Sequence, residues 1–450
     1  MHGKLSPQWA ARRVVGFELL LSFIPDVKRG SEVWGLDMRW VGMKWRVLSL
    51  FGIFCVAVMG SSAQEVAPPI PQRLDIHSNV LKEDRVIWVR TPRGYQQSKG
   101  VYPVLYQTDA PGHVNETGST IDFLVENGRM PALIIVGIAN TDRVRDLTPT
   151  HADLKNPDGT VNAFPTSGGA DRFLDFIQTE LMPEIEKRYR TAPYRIFAGH
   201  SLGGLLAIHA LISRPDLFNA YIAVSPSLQW DDGHTLHKAQ KFFANHGEVK
   251  KALFFSLANE GSTDNPMGRN FEQLQKTLAD GAPKGLVWQS ARYPDEDHGS
   301  TVLRAHYDGL RTVFSGWLVT RDEKTGLQGG GLAGLEEHYR KLSERYGYAV
   351  PVPENLMNGL GYQLMARKNL EEAIAVFQKN IELYPESANT YDSLGEGLEA
   401  AGKFDTAKQN FQKAIELAKK NNDGLLPEFE KHLERVTAEA KAAEKKATPQ

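Results

Sequence analysis

Cysteine is nearly absent from this sequence: among 450 residues only Cys55 occurs, inside an apolar run near the N-terminus. A chain with a single cysteine forms no internal disulfide, and it lacks the cysteine pairs that hold structural zinc. A lipid anchor on Cys55 is excluded as well, because the bulky Ile53 and Phe54 stand where a lipoprotein carries small residues. The protein therefore tolerates an oxidising compartment without using its chemistry.

An excess of either charge is also missing. The 52 Lys and Arg residues nearly balance the 54 Asp and Glu residues, which leaves a formal net charge of −2. Proteins that bind nucleic acid or an anionic membrane surface usually carry a marked basic excess, so the balance argues against both partners. A hydrophobic fraction of 41% in a chain of this length is typical of two or three globular domains.

The apolar run around Cys55 is too short for a permanent membrane span. Val47–Met59 contains 13 uncharged residues. As a helix they would span about 20 Å, whereas the hydrocarbon core of a bilayer is about 30 Å thick. The run follows Lys44 and Arg46 and ends shortly before Ser61-Ser62-Ala63, which is the pattern of a cleaved signal peptide.

We therefore expect residues 1–63 to be an N-terminal extension followed by a signal peptide at about 43–63. Met43 is a candidate for the true start of translation, since the residues before it do not fit the signal pattern. Cleavage after Ala63 predicts an exported protein, located in a bacterial periplasm, without a membrane span after processing.

Residues 66–322 alternate short β-rich runs with helical patterns, which predicts an α/β domain with a mostly parallel sheet. The apolar runs lack strict alternation, as expected for strands that are covered on both faces. Apolar residues at helical spacing predict helices around Phe173–Ile185 and Thr301–Leu318. The candidate strands are Val86–Val89, Val104–Gln107, Leu133–Val136, Arg195–Ala198, Tyr221–Val224, Leu253–Leu257 and Leu286–Ser290.

The remainder of the sequence predicts a second, all-helical domain. Residues 323–334 are rich in glycine and indicate a flexible linker. A purely helical pattern then continues over residues 335–446, rich in Ala, Glu, Lys and Leu. Helical stretches at 335–346 and 427–445 would cover the two ends of this domain.

An internal repeat with a period of 34 residues runs through 355–422. The offset pairs Gly361 with Gly395 and Phe377 with Phe411, and this period indicates tetratricopeptide repeats. Two repeats are few for an independent stack, so we expect the small all-α domain to lean on the α/β domain. Repeats of this kind are also where we expect a protein partner to bind.

The stretch Gly199-His200-Ser201-Leu202-Gly203 lies between a predicted strand and a predicted helix. It fits the nucleophile-elbow pattern, in which a strained turn lifts the serine hydroxyl above the sheet and the glycines let strand and helix approach closely. Because a serine hydroxyl is a poor nucleophile on its own, this chemistry also requires a histidine base and an acid. In this pattern they follow in the order serine, acid, histidine.

His298 and Glu260 stand where the base and the acid are expected. His298 lies in a polar loop after the last predicted strand, and Glu260 closely follows the strand Leu253–Leu257. Asp264 remains open as an alternative acid. When a serine attacks a carbonyl group, the oxyanion that forms needs two N–H donors.

One oxyanion donor should be the N–H of Leu202, the residue after the serine. The other should come from the loop after Val104–Gln107, hence from Asp109 or Ala110.

Two other side chains are candidate substrate contacts. Trp230 follows a predicted strand and is expected either on the rim beside Ser201 or packed beneath a loop. Arg145, like Arg143, would meet an anionic substrate group or, with Asp146, form a structural ion pair. No metal ion and no organic cofactor is expected.

Six motifs follow one another along residues 70–320: YPVLYQTDAPG (102–112), LIIVGIANTDRVRDLTPTH (133–151), GGADRFLDFIQTELMPEIEKRYRT (168–191), FAGHSLGGLLAIHAL (197–211), AYIAVSPSLQWDD (220–232) and DEDHGS (295–300). Together they resemble the putative-esterase group of α/β hydrolases, which includes the enterochelin-type siderophore esterases. The resemblance implies an α/β-hydrolase fold and carboxylic-ester substrates, with Ser201 as nucleophile and His298 as base. Gln229 departs from the group, which often carries an aromatic residue at this position.

The expected function is therefore a serine hydrolase that cleaves small-molecule carboxylic esters with a Ser–His–acid triad through an acyl-enzyme intermediate. Two alternatives remain open on the sequence alone. One is an acyltransferase that uses the same residues, and the other is a non-catalytic scaffold that acts through the repeats.

Export predicts a defined new N-terminus. Expressed in a bacterium with its full N-terminal region, the protein should be recovered from the periplasm with Gln64 as its first residue, because the peptidase reads the small residues before the cleavage site. Osmotic-shock fractionation and N-terminal sequencing check this expectation. The double variant Ser61→Leu and Ala63→Leu should accumulate as an uncleaved precursor, and a cytoplasmic, full-length parent would contradict export.

Overall fold

The computed structural model describes residues 69–96, 98–155, 158–260 and 264–447. The predicted signal peptide and Cys55 lie outside the described residues. Within these ranges no helix is long and apolar enough to cross a membrane.

Ten strands are present in the described part of the chain, and eight of them form one central sheet. In chain order the strands are β1 Gln72–Ser78, β2 Glu83–Arg90, β3 Tyr102–Ala110, β4 Ile134–Ala139, β5 Asp153–Lys155, β6 Val161–Ala163, β7 Thr191–His200, β8 Ala220–Val224, β9 Ala252–Ala258 and β10 Val287–Tyr293. The sheet order is β1-β2-β4-β3-β7-β8-β9-β10. Neighbours from β4 to β10 are parallel, whereas β2 is antiparallel to both β1 and β4.

All seven predicted strands are confirmed, and the structure adds three that the sequence pattern did not reveal. β1 lies at the edge of the sheet, and most of its residues are partly or fully exposed, so it carries no apolar run. β5 and β6 form a separate hairpin of three residues each, too short to produce a recognisable period.

Fourteen α-helices occur in the same described ranges. They are α1 Val114–Glu126, α2 Arg143–Leu147, α3 Ala170–Phe176, α4 Met182–Arg188, α5 Leu202–Ser213, α6 His234–Asn245, α7 Pro266–Gly281, α8 Thr301–Val313, α9 Leu332–Tyr346, α10 Glu354–Ala366, α11 Leu370–Leu383, α12 Ala388–Ala400, α13 Phe404–Asn421 and α14 Leu426–Ala447. The buried residues of the helices and of the sheet pack together in two large apolar clusters. The central strands β8 and β9 are accordingly buried along their whole length.

A π-helical turn at Ile177–Leu181 joins α3 to α4. The four apolar residues that predicted this helix, at a spacing of four, are all buried. A spacing of four exceeds the 3.6 residues of an α-helical turn, so an apolar stripe of this kind would drift around an ideal α-helix. The wider π turn takes up the excess and keeps the stripe facing the sheet.

The helices α10 to α13 form the two predicted repeats. Gly361 on α10 and Gly395 on α12 occupy equivalent positions: a Cβ atom would lie 2.3 Å from the ring of Phe377 and 2.5 Å from the ring of Phe411, respectively. Glycine at this position therefore lets the ring of the following helix pack directly on the backbone. This contact explains why both residues recur with the 34-residue period.

Four buried aromatic rings join the helical domain to the α/β domain. Tyr346 of α9 packs edge to face on Tyr194, with ring centroids 4.9 Å apart, and lies 5.5 Å from Phe314 and 5.6 Å from Trp317. Tyr194 is near the start of β7, while Ser201 follows its end, and the strand between them is roughly 20 Å long. The helical domain is thus attached at the end of the sheet opposite to the predicted nucleophile.

The glycine-rich residues 323–334 form a folded turn rather than an open tether. The N–H of Asp322 donates to the carbonyl oxygen of Leu327, and the N–H of Gly329 donates to that of Thr320, both at 2.9 Å. The side chain of Leu327 is buried. Helix α8 also ends at Val313 rather than at the predicted Leu318, because the chain turns there toward α9.

Two glycines of α10 give a matched test of the repeat packing. Gly361→Ala places a Cβ against the ring of Phe377 and should destabilise the protein by about 1–3 kcal/mol, the usual cost of overpacking. Gly359→Ala has open space around the new Cβ and should be neutral or stabilising by about 0.5–1 kcal/mol, since alanine favours helix. The melting temperatures of both full-length variants, measured by thermal unfolding, test this prediction. Equal melting temperatures would contradict the packing argument.

Candidate active site

Ser201 sits in a strained backbone conformation between β7 and α5. Its φ is 61° and its ψ is −113°, a region that residues other than glycine rarely occupy and that is retained mainly at functional sites. The N–H of Ser201 donates to the carbonyl oxygen of Val224 at the end of β8, and its carbonyl oxygen accepts the N–H of Leu205. The side chain is thereby presented at the carboxyl edge of the parallel strands, where ligands of α/β sheets bind.

The glycines of the motif are required by the close approach of the backbone. A Cβ at Gly199 would lie 2.3 Å from the carbonyl oxygen of Gly203, and a Cβ at Gly203 would lie 2.4 Å from the hydroxyl of Thr108. Gly204 is also confined, because its Cβ would lie 2.9 Å from the carbonyl oxygen of Val224. The elbow geometry is thus confirmed for the turn that carries Ser201.

His298 and Glu260 are brought together by two neighbouring loops. Nδ1 of His298 is hydrogen bonded to Oε1 of Glu260. Burial raises the pKa of Glu260, but hydrogen bonds with His298 and Ser225 lower it more, so the pKa lies below its ordinary value. The carboxylate therefore stays ionised and fixes the ring orientation of His298, leaving Nε2 as the nitrogen that faces other partners.

Backbone contacts hold these two loops in register. The N–H of Asn259, next to the acid, donates to the carbonyl oxygen of Glu296 at 2.8 Å. Within the histidine loop, the carboxylate of Asp297 accepts the N–H groups of Gly299 at 2.9 Å and Ser300 at 2.8 Å. The alternative acid, Asp264, is exposed, whereas Glu260 makes the hydrogen bond to His298.

The hydroxyl of Ser201 is hydrogen bonded to the hydroxyl of Ser227, with 3.3 Å between the two oxygens. Among the hydrogen bonds of the described residues, none joins Ser201 to His298. His298 nevertheless borders the elbow, because its ring packs on that of His200, the residue before the serine, with centroids 4.4 Å apart. The side chain of His298 is 46% exposed, so the site is open to solvent.

The ring of His200, which packs against His298, is uncharged. Burial and, to a smaller extent, the neighbouring His298 together lower the pKa of His200 to about 4. The ring therefore carries no charge near neutral pH and adds no positive charge beside His298. Its Nε2 is buried without a hydrogen-bond partner among the described residues.

The predicted oxyanion donors lie at the start of α5, directly after Ser201, and at the end of β3, the strand next to β7. Leu202 is the first residue of α5, so its N–H has no carbonyl partner within the helix and lies at the positive end of the helix dipole. Asp109 lies at the end of β3 with φ 64°, and Ala110 follows it. These N–H groups remain candidate oxyanion donors.

Arg143 ties the β3 loop to the elbow. Its Nε donates to Oδ1 of Asp109 at 2.7 Å, and its Nη2 donates to the carbonyl oxygen of His200 at 3.0 Å. Asn140 adds a hydrogen bond of 2.7 Å to the same Asp109 oxygen. Burial raises the pKa of Asp109, but Arg143 and Asn140 lower it more, so this carboxylate is an ionised anchor for the loop.

The two candidate substrate contacts are engaged within the protein. Trp230 is 5% exposed, packs against Phe164 and donates from Nε1 to the carbonyl oxygen of Thr150 at 3.2 Å. Of the two positions expected for Trp230, on the rim beside Ser201 or beneath a loop, the structure shows the second. Arg145 forms ion pairs with Asp146 and Glu83, which is the structural alternative that the sequence left open.

A group of three potential metal ligands lies in the helical domain, far along the chain from this site. Donor atoms of Asp392, Glu396 and His432 lie within 4.8 Å of one another. Nδ1 of His432 is hydrogen bonded to Asp392 at 2.9 Å, and Glu396 accepts the hydroxyl of Tyr362 at 2.6 Å. These contacts connect α14 and α10 to α12.

Sequence reasoning missed the serines of the turn Ser225-Pro226-Ser227 and the bridge made by Arg143. The signal for the first was present: the turn directly follows the strand next to β7, so it reaches the same sheet edge as Ser201. No local signal exists for the bridge, because it joins residues more than thirty positions apart in the sequence.

Models of known protein families match two parts of this chain. The family model described as "Putative esterase" matches residues 78–311, just over half of the chain. The chain belongs to the putative-esterase family. A tetratricopeptide-repeat model matches residues 353–420, in agreement with α10 to α13.

Three curated relatives of this esterase are named as siderophore esterases. The ferri-bacillibactin esterase BesA of Bacillus subtilis is 33% identical over 223 residues, which cover 45% of this chain and 75% of the relative. The siderophore triacetylfusarinine C esterase of Aspergillus fumigatus is 40% identical over 217 residues, covering 41% and 71%, respectively. The siderophore enterobactin esterase of Emericella nidulans is 31% identical over 218 residues, covering 40% and 70%.

Solved structures extend the likeness beyond the α/β domain. An IroE-like serine hydrolase of Shewanella oneidensis superimposes with a TM-score of 0.61 at 32% identity, covering 70% of this chain and all of its own. An uncharacterised protein of Capnocytophaga ochracea covers 82% of this chain with a TM-score of 0.55. At 16% identity the second likeness concerns the fold alone.

This esterase is therefore a carboxylic-ester hydrolase with an α/β-hydrolase fold and a C-terminal tetratricopeptide-repeat domain. The alternative of a non-catalytic scaffold is not supported, because the named relatives are esterases. The repeats add a surface of the kind that binds proteins.

The elbow glycines generate a prediction about activity. Gly199→Ala should lower esterase activity by about 10²-fold or more, because the new Cβ would displace the backbone around Ser201 and small misplacements of a reacting group are costly. Hydrolysis of p-nitrophenyl butyrate measures the loss. Gly247→Ala, which has open space around its Cβ, is the matched control, and equal activity of the two variants would contradict the argument.

Proposed function

We propose that this esterase acts through a triad of Ser201, His298 and Glu260. Ser201 is the nucleophile, His298 is the base that accepts its proton at Nε2, and Glu260 holds the ring and stabilises the imidazolium that forms. The observation that carries the proposal is the strained elbow of Ser201 next to a histidine already paired with a carboxylate whose side chain is only 10% exposed. Unpaired, such a carboxylate would be costly to bury.

The reaction begins when the Ser201 hydroxyl leaves Ser227 and turns toward His298. Its oxygen forms a bond to the ester carbonyl carbon as its proton passes to His298. The negative charge that develops on the carbonyl oxygen is held by the N–H of Leu202 and by an N–H of the Asp109–Ala110 segment.

Collapse of this intermediate breaks the bond to the alcohol, and His298 returns the proton to the leaving oxygen. Water, deprotonated by the same histidine, then attacks the acyl-enzyme and releases the acid and the free serine. The anchoring of Asp109 by Arg143 keeps the second donor in place throughout both steps. Each well-placed donor of this kind is worth about 10²–10³ in turnover.

The substrate class we propose is the ester linkage of siderophores. The support comes from relatives that are named as esterases of ferri-bacillibactin, triacetylfusarinine C and enterobactin. An open site suits such bulky substrates, since His298 is 46% and Arg143 33% exposed. We also propose that the esterase works in the periplasm, on the basis of the signal-peptide pattern at 43–63.

Active-site substitutions test the triad. Ser201→Ala should lower kcat/KM by about 10³-fold or more, and Glu260→Gln by about 10²–10⁴-fold, because the variants remove the nucleophile or the group that orients the base. Triacetylfusarinine C and p-nitrophenyl butyrate serve as substrates, with product formation followed by chromatography and absorbance, respectively.

Asp264→Asn is the matched control for Glu260→Gln and should retain the parent rate. A fluorophosphonate should add one label, mapped to Ser201 by mass spectrometry, and label neither Ser201→Ala nor denatured protein. If Ser201→Ala were as active as the parent, the triad would be refuted. Formation of a new ester when glycerol is added would instead assign acyl transfer to the same residues.

A further inference from the structure

The turn Ser225-Pro226-Ser227 lies between the nucleophile and the acid. It follows β8, whose neighbours in the sheet are β7, which leads to Ser201, and β9, which leads to Glu260. The hydroxyl-bearing residues of the turn are buried, with Ser225 0% and Ser227 8% exposed. Polar side chains at such depth need partners, and here the partners are parts of the proposed triad.

Ser225 faces the acid. Its Oγ lies 3.3 Å from the N–H nitrogen of Ala258, and Oε2 of Glu260 lies 3.2 Å from the same nitrogen. Ala258 donates this N–H to both oxygens, which places the serine hydroxyl beside the carboxylate. A hydrogen bond with Ser225 also contributes to the lowered pKa of Glu260, after burial and the His298 contact. The hydroxyl proton of Ser225 is thus available to the acid rather than to the Ala258 amide.

Ser227 faces the nucleophile through two contacts. Its N–H donates to the carbonyl oxygen of Ser201 at 3.1 Å, which braces the strained backbone of the elbow. Its hydroxyl oxygen lies 3.3 Å from that of Ser201 and is the partner of the nucleophile in this structure. The two contacts fix both the backbone and the hydroxyl of Ser201 at the sheet edge.

The backbone of the turn is itself held on both sides. The N–H of Ser201 donates to Val224, just before the turn, and the N–H of Ser225 donates to the carbonyl oxygen of Ser256 on β9 at 3.0 Å. Ser225 has φ 39°, which is a strained backbone conformation. In this conformation the hydroxyl of Ser225 lies on the side of Glu260 and the hydroxyl of Ser227 on the side of Ser201. Such strain persists where the surrounding contacts over-determine it.

We propose that Ser225 and Ser227 are positioning residues for opposite ends of the triad, Ser225 acting through Glu260 and Ser227 acting through Ser201. This inference rests on the proposed function of those two residues. It predicts that the two serines affect catalysis by different routes, although they are two positions apart in one turn.

A double-mutant cycle tests Ser225. Ser225→Ala should lower kcat/KM by about 3- to 30-fold, as expected for the loss of one hydrogen bond to a charged group. In a Glu260→Gln background the same substitution should have almost no further effect, because the group through which it acts is gone. Equal losses in both backgrounds would show a general structural effect and would overturn the proposal for Ser225.

The pH dependence gives a second readout. The acid limb of the kcat/KM profile follows protonation of the base. A carboxylate that has lost a hydrogen-bond donor favours the protonated imidazole beside it more strongly, so this limb should move to higher pH in Ser225→Ala. Ser225→Cys keeps the shape of the side chain and should show the same shift in a smaller degree if Ser225→Ala fails to fold. An unmoved acid limb in the folded variant would contradict the assignment.

Ser227 is tested by the reactivity of the nucleophile itself. Ser227→Ala should slow covalent labelling of Ser201 by a fluorophosphonate and lower kcat by about 3- to 30-fold, with little change in KM. Ser256→Ala is the matched control: this serine is buried on the neighbouring strand, and its hydroxyl has no partner among the described residues, so labelling and kcat should equal those of the parent.

Failure of this inference is distinguishable from failure of the triad. If Ser201→Ala is inactive but Ser227→Ala labels and turns over as fast as the parent, the triad stands and the positioning role of Ser227 is refuted. A faster Ser227→Ala would likewise refute it, since the hydroxyl contact would then restrain the nucleophile from reacting. An active Ser201→Ala would remove the basis of both proposals.

Discussion

The strained backbone of Ser201 is the constraint on which the rest of the site depends. A serine with φ 61° is tolerated because glycines at 199, 203 and 204 let strand, helix and neighbouring strand come within distances that no Cβ would allow. The strain is offset by two backbone hydrogen bonds: the N–H of Ser201 donates to the carbonyl oxygen of Val224, and the carbonyl oxygen of Ser201 accepts the N–H of Ser227. The same packing that permits the elbow therefore also determines where the hydroxyl lies.

Around this elbow the parallel sheet gathers loops that are distant in sequence. Strands β3, β7, β8 and β9 are neighbours, and their carboxyl ends carry Asp109, Ser201, Ser227 and Glu260, while His298 follows β10. Polar contacts rather than apolar ones join these loops, through Arg143, Asn259 and the two serines of the β8 turn. These hydrogen bonds fix the polar groups of a rim at which the side chain of His298 remains 46% exposed.

The helical domain occupies the other end of the sheet. Its attachment through Tyr194, Phe314, Trp317 and Tyr346 buries four rings, which is substantial apolar area for two repeats that could not bury their faces alone. This contact lies near the start of β7, whereas Ser201 follows the end of that strand.

The sequence by itself determined the local features of this protein: most strands of the sheet, the helical repeats and the turn that carries Ser201. Strands that are buried on both faces appeared in the sequence as continuous apolar runs. The 34-residue period reflects a glycine that packs beneath an aromatic ring in each repeat. Gly199, Ser201 and Gly203 indicated the elbow because the conformation of a tight turn depends on neighbouring residues. Edge strand β1, whose residues are mostly exposed, left no such pattern. His298 and Glu260 followed from chain order, but their hydrogen bond did not.

Only the tertiary structure decided which polar groups meet. It placed Trp230 beneath a loop, paired Arg145 with Glu83 and Asp146, and set Ser227 against the nucleophile. These contacts depend on which strands are neighbours in the sheet, and no single segment of the sequence determines the strand order. The physical reason is that apolar burial acts on each segment by its own pattern, whereas a hydrogen bond exists only after both partners have been brought within about 3 Å.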